Sequence, residues 1–371
     1  MITGPIRPFT INIPQSQLDD LKARLALTRL PEKEIVADWD QGIPLAYVKE
    51  VAAYWASEYD WRVCEAKLNA YPQFLIEIDG LDIHFLHIRS ANSDARPIIM
   101  THGWPGSVLE FMDVIGPLSA DYHLVIPSLP GYAFSGKPTT PGWDIPQTAR
   151  AWDKLMRALG YHRYFAQGGD WGAAVTDSIG QQNLGACAGI HLNMVIARPD
   201  PATMDSLTPR EQAALARMGW YQSKDNGYAT QQRTRPQTLG YGLADSPVGQ
   251  MAWILEKFHG WSDCDGNPES VFTRDHLLDN VMLYWLTNSA ASSARLYWHS
   301  FGDFPRDNVD VPMGGTVAPF EIFGPSRRWA EARFKNIVYW NESARGGHFL
   351  AMERPETFVA EVRACFKNMS L

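Results

Sequence analysis

The sequence predicts an α/β protein: a mostly parallel central sheet flanked by helices, with an N-terminal arm packed against it and a helical segment inserted late in the chain. Three observations carry this prediction. From residue 74 to about 197, short β-rich runs alternate with stretches of helical apolar spacing. Over 198–305 the helical patterns stand alone, and from 306 to 371 the alternation resumes. With 371 residues, 45% of them hydrophobic and 20% charged, the chain can bury one large core and still carry such an insertion.

Each element follows from its residues. In the N-terminal arm, residues 1–73, "SQLDDLKARLALTRL" reads as a helix with Leu18, Leu21, Leu25 and Leu27 roughly on one face. "FLIEID" and "DIHFLHIR" read as strands turning at "DG", and "PIIMTHG" as a third strand ending at His102. "SVLEFMDVIGPL" has helical spacing, "YHLVIPSL" is a strand, "IPQTARAWDKLMRALG" is a helix closed by Gly160, and "YFAQGG" is a strand running into Asp170. "WGAAVTDSIG" and "AGIHLN" complete the first part of the core, residues 74–197. In the inserted segment, "SPVGQMAWILEKF" has Ser246 as N-cap, Pro247 in the first turn, and Val248, Met251, Leu255 and Phe258 along one stripe. The second part of the core, residues 306–371, brings "VPMGGTVAPFEIF", the strand "NIVYW" and the closing helix "PETFVAEVRACFKN". A sheet of this kind carries its sites at the carboxyl ends of its strands.

Composition narrows the partners. The net charge is -8 with no lysine or arginine cluster, which speaks against nucleic acid and for a small neutral substrate. Cys64, Cys187, Cys264 and Cys365 lie far apart without CxxC spacing, so we expect reduced structural thiols, no metal site and no cofactor. The N-terminal "MITGPIRPFTINIPQ" has neither a long apolar run nor a secretory layout, so the expectation is a soluble cytoplasmic protein without a membrane anchor. Nothing in the sequence decides between a monomer and a homodimer.

Strand, tight turn and helix meet at "GGDWG", residues 168–172. This is the layout of a nucleophile elbow with Asp170, not serine, at its centre. Glycine on either side suits a strained turn that no larger side chain can approach. Alone, the stretch reads equally well as an ordinary strand-to-helix turn capped by Asp170. Two further stretches tip the balance. "THGWPGS" ends the third core strand, where such a site takes its second oxyanion donor, so the N–H groups of Trp104 and Trp171 are the expected pair. A histidine base must follow the acid in chain order, and His348 in "RGGHF" combines a late position with a glycine-rich loop beyond a core strand. The orienting acid belongs after the preceding strand, which selects Glu321, whereas Asp303, Asp307 and Asp310 come before it.

With "GGDWG", "HGWPGS", "RGGHF", "PQFLIEIDGLDIHFLHIRS" and "TRPQTLGYGLADSPVGQMAWILEKF" side by side, the chain resembles the epoxide hydrolases of the microsomal type, within the α/β-hydrolase superfamily. The resemblance runs from about residue 5 to the C-terminus. It implies the α/β-hydrolase fold, an N-terminal meander over 1–73, a helical lid over 198–305 and hydrolysis of a small apolar epoxide by water. It also implies two lid tyrosines, Tyr228 in "DNGYATQQRTRP" and Tyr297 in "SSARLYWHS", preferred by their flanks over Tyr221, Tyr241 and Tyr284. Glutamate as the orienting acid agrees with the microsomal members. Their membrane-spanning N-terminal anchor is missing here, as in soluble bacterial and fungal relatives.

The chemistry explains a carboxylate at the elbow. Backside attack on an epoxide carbon suits a carboxylate, which needs no base at neutral pH, and leaves an alkyl-enzyme ester. Phenols, with an ordinary pKa of about 10, stay protonated to serve the leaving oxygen. The closest alternative is a hydrolytic dehalogenase, which shares Asp, His and acid but needs indole N–H donors and no proton for its halide. A non-catalytic binding protein on the same fold is the other. Against both stand the paired tyrosines and the filled catalytic positions. Met218, Trp220, Trp253, Trp285 and Trp298 further suggest an apolar pocket in or beside the lid.

Overall fold

The computed structural model describes residues 4–302, 304, 307–367 and 369–371, so Asp303 of the sequence analysis lies outside the described residues. Its centre is a nine-stranded sheet of β1 (Arg7–Phe9), β2 (Gln73–Ile78), β3 (Leu81–Ile88), β4 (Arg96–Thr101), β5 (Tyr122–Pro127), β6 (Tyr164–Gly168), β7 (Cys187–Leu192), β8 (Met313–Val317) and β9 (Ile337–Glu342). The spatial order is β1-β2-β3-β5-β4-β6-β7-β8-β9. β1, β2 and β3 pair antiparallel, β3 meets β5 antiparallel, and every pair from β5 to β9 is parallel. β6, β7 and β8 are buried along their whole length, as strands covered on both faces must be. The apolar run "VPMGGTVAPFEIF" is therefore a strand only as far as Val317, and Glu321 stands on the loop beyond it.

Helices on both faces fix the strands. Ile145–Ala158 has Asp144 as N-cap, accepting from Gln147 N, and buries Trp152, whose Nε1 donates to Thr101 Oγ1 at 3.0 Å. Asp170–Gln182 runs beside it, and its Asp177 forms a buried ion pair with Arg333, Nη2 to Oδ1 at 2.6 Å. That pair ties the first part of the core to the last. Within the arm, its first residues are tied to the helix Trp61–Asn69 by Ile11 N to Asn69 Oδ1 (2.9 Å) and Ile13 N to Glu65 Oε1 (2.7 Å). Its helix, Gln15–Ala26, buries Leu18, Leu21 and Leu25, but Leu27 is 81% exposed. Leu27 sits roughly 200° around the helix from Leu25, at its C-cap, so it could not share the face expected of it.

Residues 198–305 contain helices and, among the described residues, no strand. Pro247–Trp261 begins with the Ser246 hydroxyl accepting from Gly249 N at 2.9 Å and buries Val248, Met251, Leu255 and Phe258, as the stripe predicts. Arg274–Leu286 lies against the arm through Tyr54 Oη to Asp275 (2.7 Å) and Tyr59 Oη to Asp279 (2.6 Å). Its other side reaches the loop after β4, as described below. Among the described residues, no helix is long and apolar enough to cross a membrane.

Candidate active site

β6 ends at Gly168 and the next helix begins at Asp170, which adopts φ +49°, a left-handed conformation that costs an aspartate about 1 kcal/mol or more. The surrounding glycines are required by contact. A Cβ on Gly172 would collide with the Thr101 carbonyl at the end of β4, and one on Gly168 with the Gly172 carbonyl. On Gly169 it would lie 2.6 Å from Asn193 Nδ2. The turn thus wedges between β4 and β7, and the side chain of Asp170 is lifted away from it.

Asp170 Oδ1 accepts from the Trp104 N–H at 2.8 Å, and Gly103 has no room for a Cβ against the Asp170 carboxylate. The Trp171 N–H belongs to the first turn of its helix, where amides have no intrahelical acceptor. The loop that presents Trp104 is held from two sides. Asn280 Nδ2 donates to Pro105 O (2.6 Å), Tyr284 Oη to Gly106 O (2.7 Å) and Ser107 Oγ to Asn280 Oδ1 (2.8 Å). From below, His102 accepts from Leu129 N at 3.1 Å through Nε2 and bonds Gly103 O through Nδ1. Burial pushes His102 down to about 4, so it is a neutral brace.

His348 is the exception among the buried histidines. Its Nδ1 lies 2.6 Å from Glu321 Oε1 and its Nε2 3.3 Å from Asp170 Oδ2. Burial would lower its pKa, as it lowers His84 and His191 to about 3. The charge of Glu321 and the hydrogen bonds to both carboxylates instead hold it well above the ordinary histidine range. The backbone fixes both partners: His348 N donates to Trp261 O at 2.9 Å, and Glu321 Oε1 also takes the Ile322 N–H at 2.6 Å. The rejected acids lie elsewhere. Asp307 accepts from Gln181 on the surface, and Asp310 is exposed.

Tyr228 and Tyr297 come from the helices Gly227–Thr234 and Ala290–Ser300 and meet over the elbow, their ring centroids 5.8 Å apart. Tyr228 stacks on Trp104 at 4.9 Å, and Tyr297 stands edge-on to Trp171 at 4.7 Å. Burial, reinforced by the nearby charge of Asp170, raises both phenols well above their usual range. The competing tyrosines separate clearly: Tyr241 is 70% exposed, Tyr284 braces Gly106, and Tyr221 hydrogen-bonds Tyr228 at 3.1 Å. The apolar pocket expected around Trp220 and Trp298 is not built from them, since both indoles reach solvent. The rings of Trp104, Trp171 and Trp261 are the ones that stand against Tyr228, Tyr297 and His348.

Residues that the sequence reading passed over also gather here. Glu110 packs so closely on Gly106 that a Cβ there would strike its Oε1, and burial pushes its carboxyl up to about 8. Its signal was its place in "HGWPGSVLE", just beyond the loop motif. Lys257 and Asp225 form a buried pair at 2.7 Å beside Tyr228, joined across 32 residues that no motif links. The arrangement provides a carboxylate with an amide on one oxygen and an imidazole on the other, beneath two un-ionised phenols.

Comparison with known proteins gives the family of the chain. Residues 6–111 match the family described as "Epoxide hydrolase N terminus", and residues 96–238 match the alpha/beta hydrolase fold. A relative from Stigmatella aurantiaca is 50% identical over 98% of this chain and 85% of its own. Epoxide hydrolase 1 of Oryctolagus cuniculus is 33% identical over 96% of this chain and 88% of its own. The solved structure of Aspergillus niger epoxide hydrolase superposes with a TM-score of 0.91 at 35% identity, covering 100% of this chain and 98% of that one.

Proposed function

Because the chain belongs to the epoxide hydrolases of the α/β-hydrolase fold, we propose that it opens a small apolar epoxide to a vicinal diol through a covalent ester on Asp170. The observation that carries this reading is the division of the Asp170 carboxylate, with Oδ1 on the Trp104 amide and Oδ2 against His348. Residues 198–305 act as the lid that brings Tyr228 and Tyr297 over this carboxylate.

In the first half-reaction Asp170 Oδ2 attacks a ring carbon from behind, and the ring C–O bond breaks with its electrons on oxygen. A phenol of the Tyr228 and Tyr297 pair protonates that oxygen, because an unassisted alkoxide is a poor leaving group. The products are a β-hydroxyalkyl ester and a phenolate. Ester formation also removes the negative charge of Asp170, one of the influences that hold the His348 proton. The imidazolium then gives up its proton, which restores the phenol through solvent.

The second half-reaction needs a neutral imidazole. His348, oriented by Glu321, removes a proton from water, and the hydroxide attacks Cγ of the ester. The amides of Trp104 and Trp171 stabilise the tetrahedral oxyanion, each such donor being worth about 3 kcal/mol in related sites. On collapse the imidazolium protonates the departing alkoxide and frees the diol, and the proton of the Asp170 carboxylic acid then passes to His348, restoring the starting carboxylate and imidazolium. The proton count closes without any cofactor.

The test is one turnover with enzyme in excess in 18O-labelled water. The peptide containing Asp170 should gain the label and the first diol released should not. Label found directly in that diol, with Asp170 unlabelled, would overturn the ester.

A further inference from the structure

The two phenols above Asp170 are supported unequally. Tyr228 Oη lies 3.1 Å from Tyr221 Oη, and Lys257 Nζ stands over the Tyr228 ring, 4.7 Å from its centroid. Lys257 is 2% exposed and is held there by Asp225 Oδ1 at 2.7 Å, while Asp225 Oδ2 accepts from Trp261 Nε1 at 2.6 Å. Tyr221 and Asp225 open and close a single π-helical turn, a rare geometry concentrated at functional sites. Tyr297 has a weaker support, the Trp171 side chain, whose hydrogen bond favours its phenolate, and no charge held over its ring. Its neighbours are the rings of Trp104, Trp171 and Phe301, and among the described residues no ammonium or guanidinium lies over its ring.

A buried ion pair is a poor way to stabilise a fold, because stripping water from two charges offsets their attraction. Its position over one ring gives it another use. A phenolate spreads negative charge into its ring and oxygen, so a fixed ammonium on the ring face and a hydroxyl on the oxygen both stabilise it relative to the phenol. Resting on the reading of the reaction given above, we propose that Tyr228 and not Tyr297 transfers its proton to the epoxide oxygen, with Tyr221 and Lys257 as the residues that position and stabilise the resulting phenolate. Tyr297 donates a hydrogen bond to the same oxygen and keeps its proton.

The balance is local. The bond from Asp170 Oδ2 to carbon forms, the ring C–O bond breaks towards oxygen, and the Tyr228 O–H proton moves to that oxygen. As the Tyr228 proton leaves, Tyr221 donates its hydroxyl hydrogen to the Tyr228 oxygen, one of the two directions that the 3.1 Å contact allows. The groups facing Tyr228 are Tyr221, Tyr297, Asp170 and Lys257. Of these, Asp170 disfavours the phenolate while it is charged, and that charge is consumed in the same step that creates the phenolate.

The experiment measures alkylation and ester hydrolysis separately, by single-turnover tryptophan fluorescence, on glycidyl ethers and fluorinated epoxides graded by the basicity of the departing alkoxide. Tyr221→Phe and Lys257→Met should slow alkylation about tenfold or more, most for the most basic alkoxides, and leave hydrolysis within about twofold. Lys257→Arg should recover much of the loss. Since Lys257→Met strands Asp225, the double variant Asp225→Asn/Lys257→Met is measured beside it and should regain the melting temperature while alkylation stays slow. The inference is overturned if the double variant alkylates at the parental rate, if the loss is independent of alkoxide basicity, or if Tyr297→Phe costs more than Tyr228→Phe. If Tyr228→Phe itself leaves alkylation intact, the phenol assignment of the preceding section is what has failed.

Discussion

At the scale of single residues, His348 stands between two carboxylates, and under the proposed reaction it would tie the two half-reactions together. Replacing it with glutamine should leave alkylation running and stop hydrolysis, so that intact-protein mass spectrometry shows the enzyme heavier by one substrate. Asp170→Asn removes one of the charges that raise the imidazole, so NMR titration should place the His348 pKa lower than in the parent. By the same sign, the acid limb of ester hydrolysis should fall below the pH at which His348 titrates in the free enzyme. Gly172→Ala would drive a methyl into the Thr101 carbonyl, and the strain, roughly 1–3 kcal/mol or more, should appear as a lower Tm with loss of turnover. That Asp170, Glu321, His348, Trp104, Tyr228 and Tyr297 gather in one place was legible, because motif position or family resemblance names them one by one. Lys257 over the Tyr228 ring was not, since only the packing of the turn Tyr221–Asp225 against the helix Pro247–Trp261 brings Asp225 and Lys257 together.

At the scale of elements, the strands were read well where β-rich runs end in glycine or proline, as at "DG" between β2 and β3. Their lateral order was not, because the exchange of β4 and β5 in the sheet is a matter of crossover and leaves no local pattern. The π-helical turn at Tyr221–Asp225 was equally silent, since its residues, one tyrosine followed by four polar side chains, carry no pattern that separates it from an α-helical turn. The element with most leverage on the site contributes no catalytic side chain. The helix Arg274–Leu286 presents Asn280 and Tyr284 to the loop that aims the Trp104 amide. Asn280→Ala and Tyr284→Phe should therefore slow both half-reactions, by about tenfold for each 1.4 kcal/mol of lost alignment, which rapid-quench kinetics would register. The opposite face of that helix is fastened to the arm through Tyr54 and Tyr59, so slackening the arm should reach the oxyanion loop by the same route.

At the scale of the whole molecule, the two parts of the core are joined by the buried contact of Asp177, on the nucleophile helix, with Arg333, between β8 and β9. Burial raises Asp177 to about 6 even with Arg333 beside it, so the pair is costly to break. Arg333→Met should lower stability by about 3–5 kcal/mol in chemical denaturation, and adding Asp177→Asn should return much of it. The insertion between β7 and β8 also separates the chemistry along the chain. Trp104, Trp171 and Asp170 belong to the part complete by β7, whereas Glu321 and His348 follow β8 and β9. Synthesis runs from the N-terminus, and domains organise in that direction as the chain emerges. A growing chain thus acquires the group that would capture an epoxide long before the group that would release it. During synthesis, turnover should thus appear only after the residues beyond β9 have emerged, which activity assays on stalled nascent chains would check.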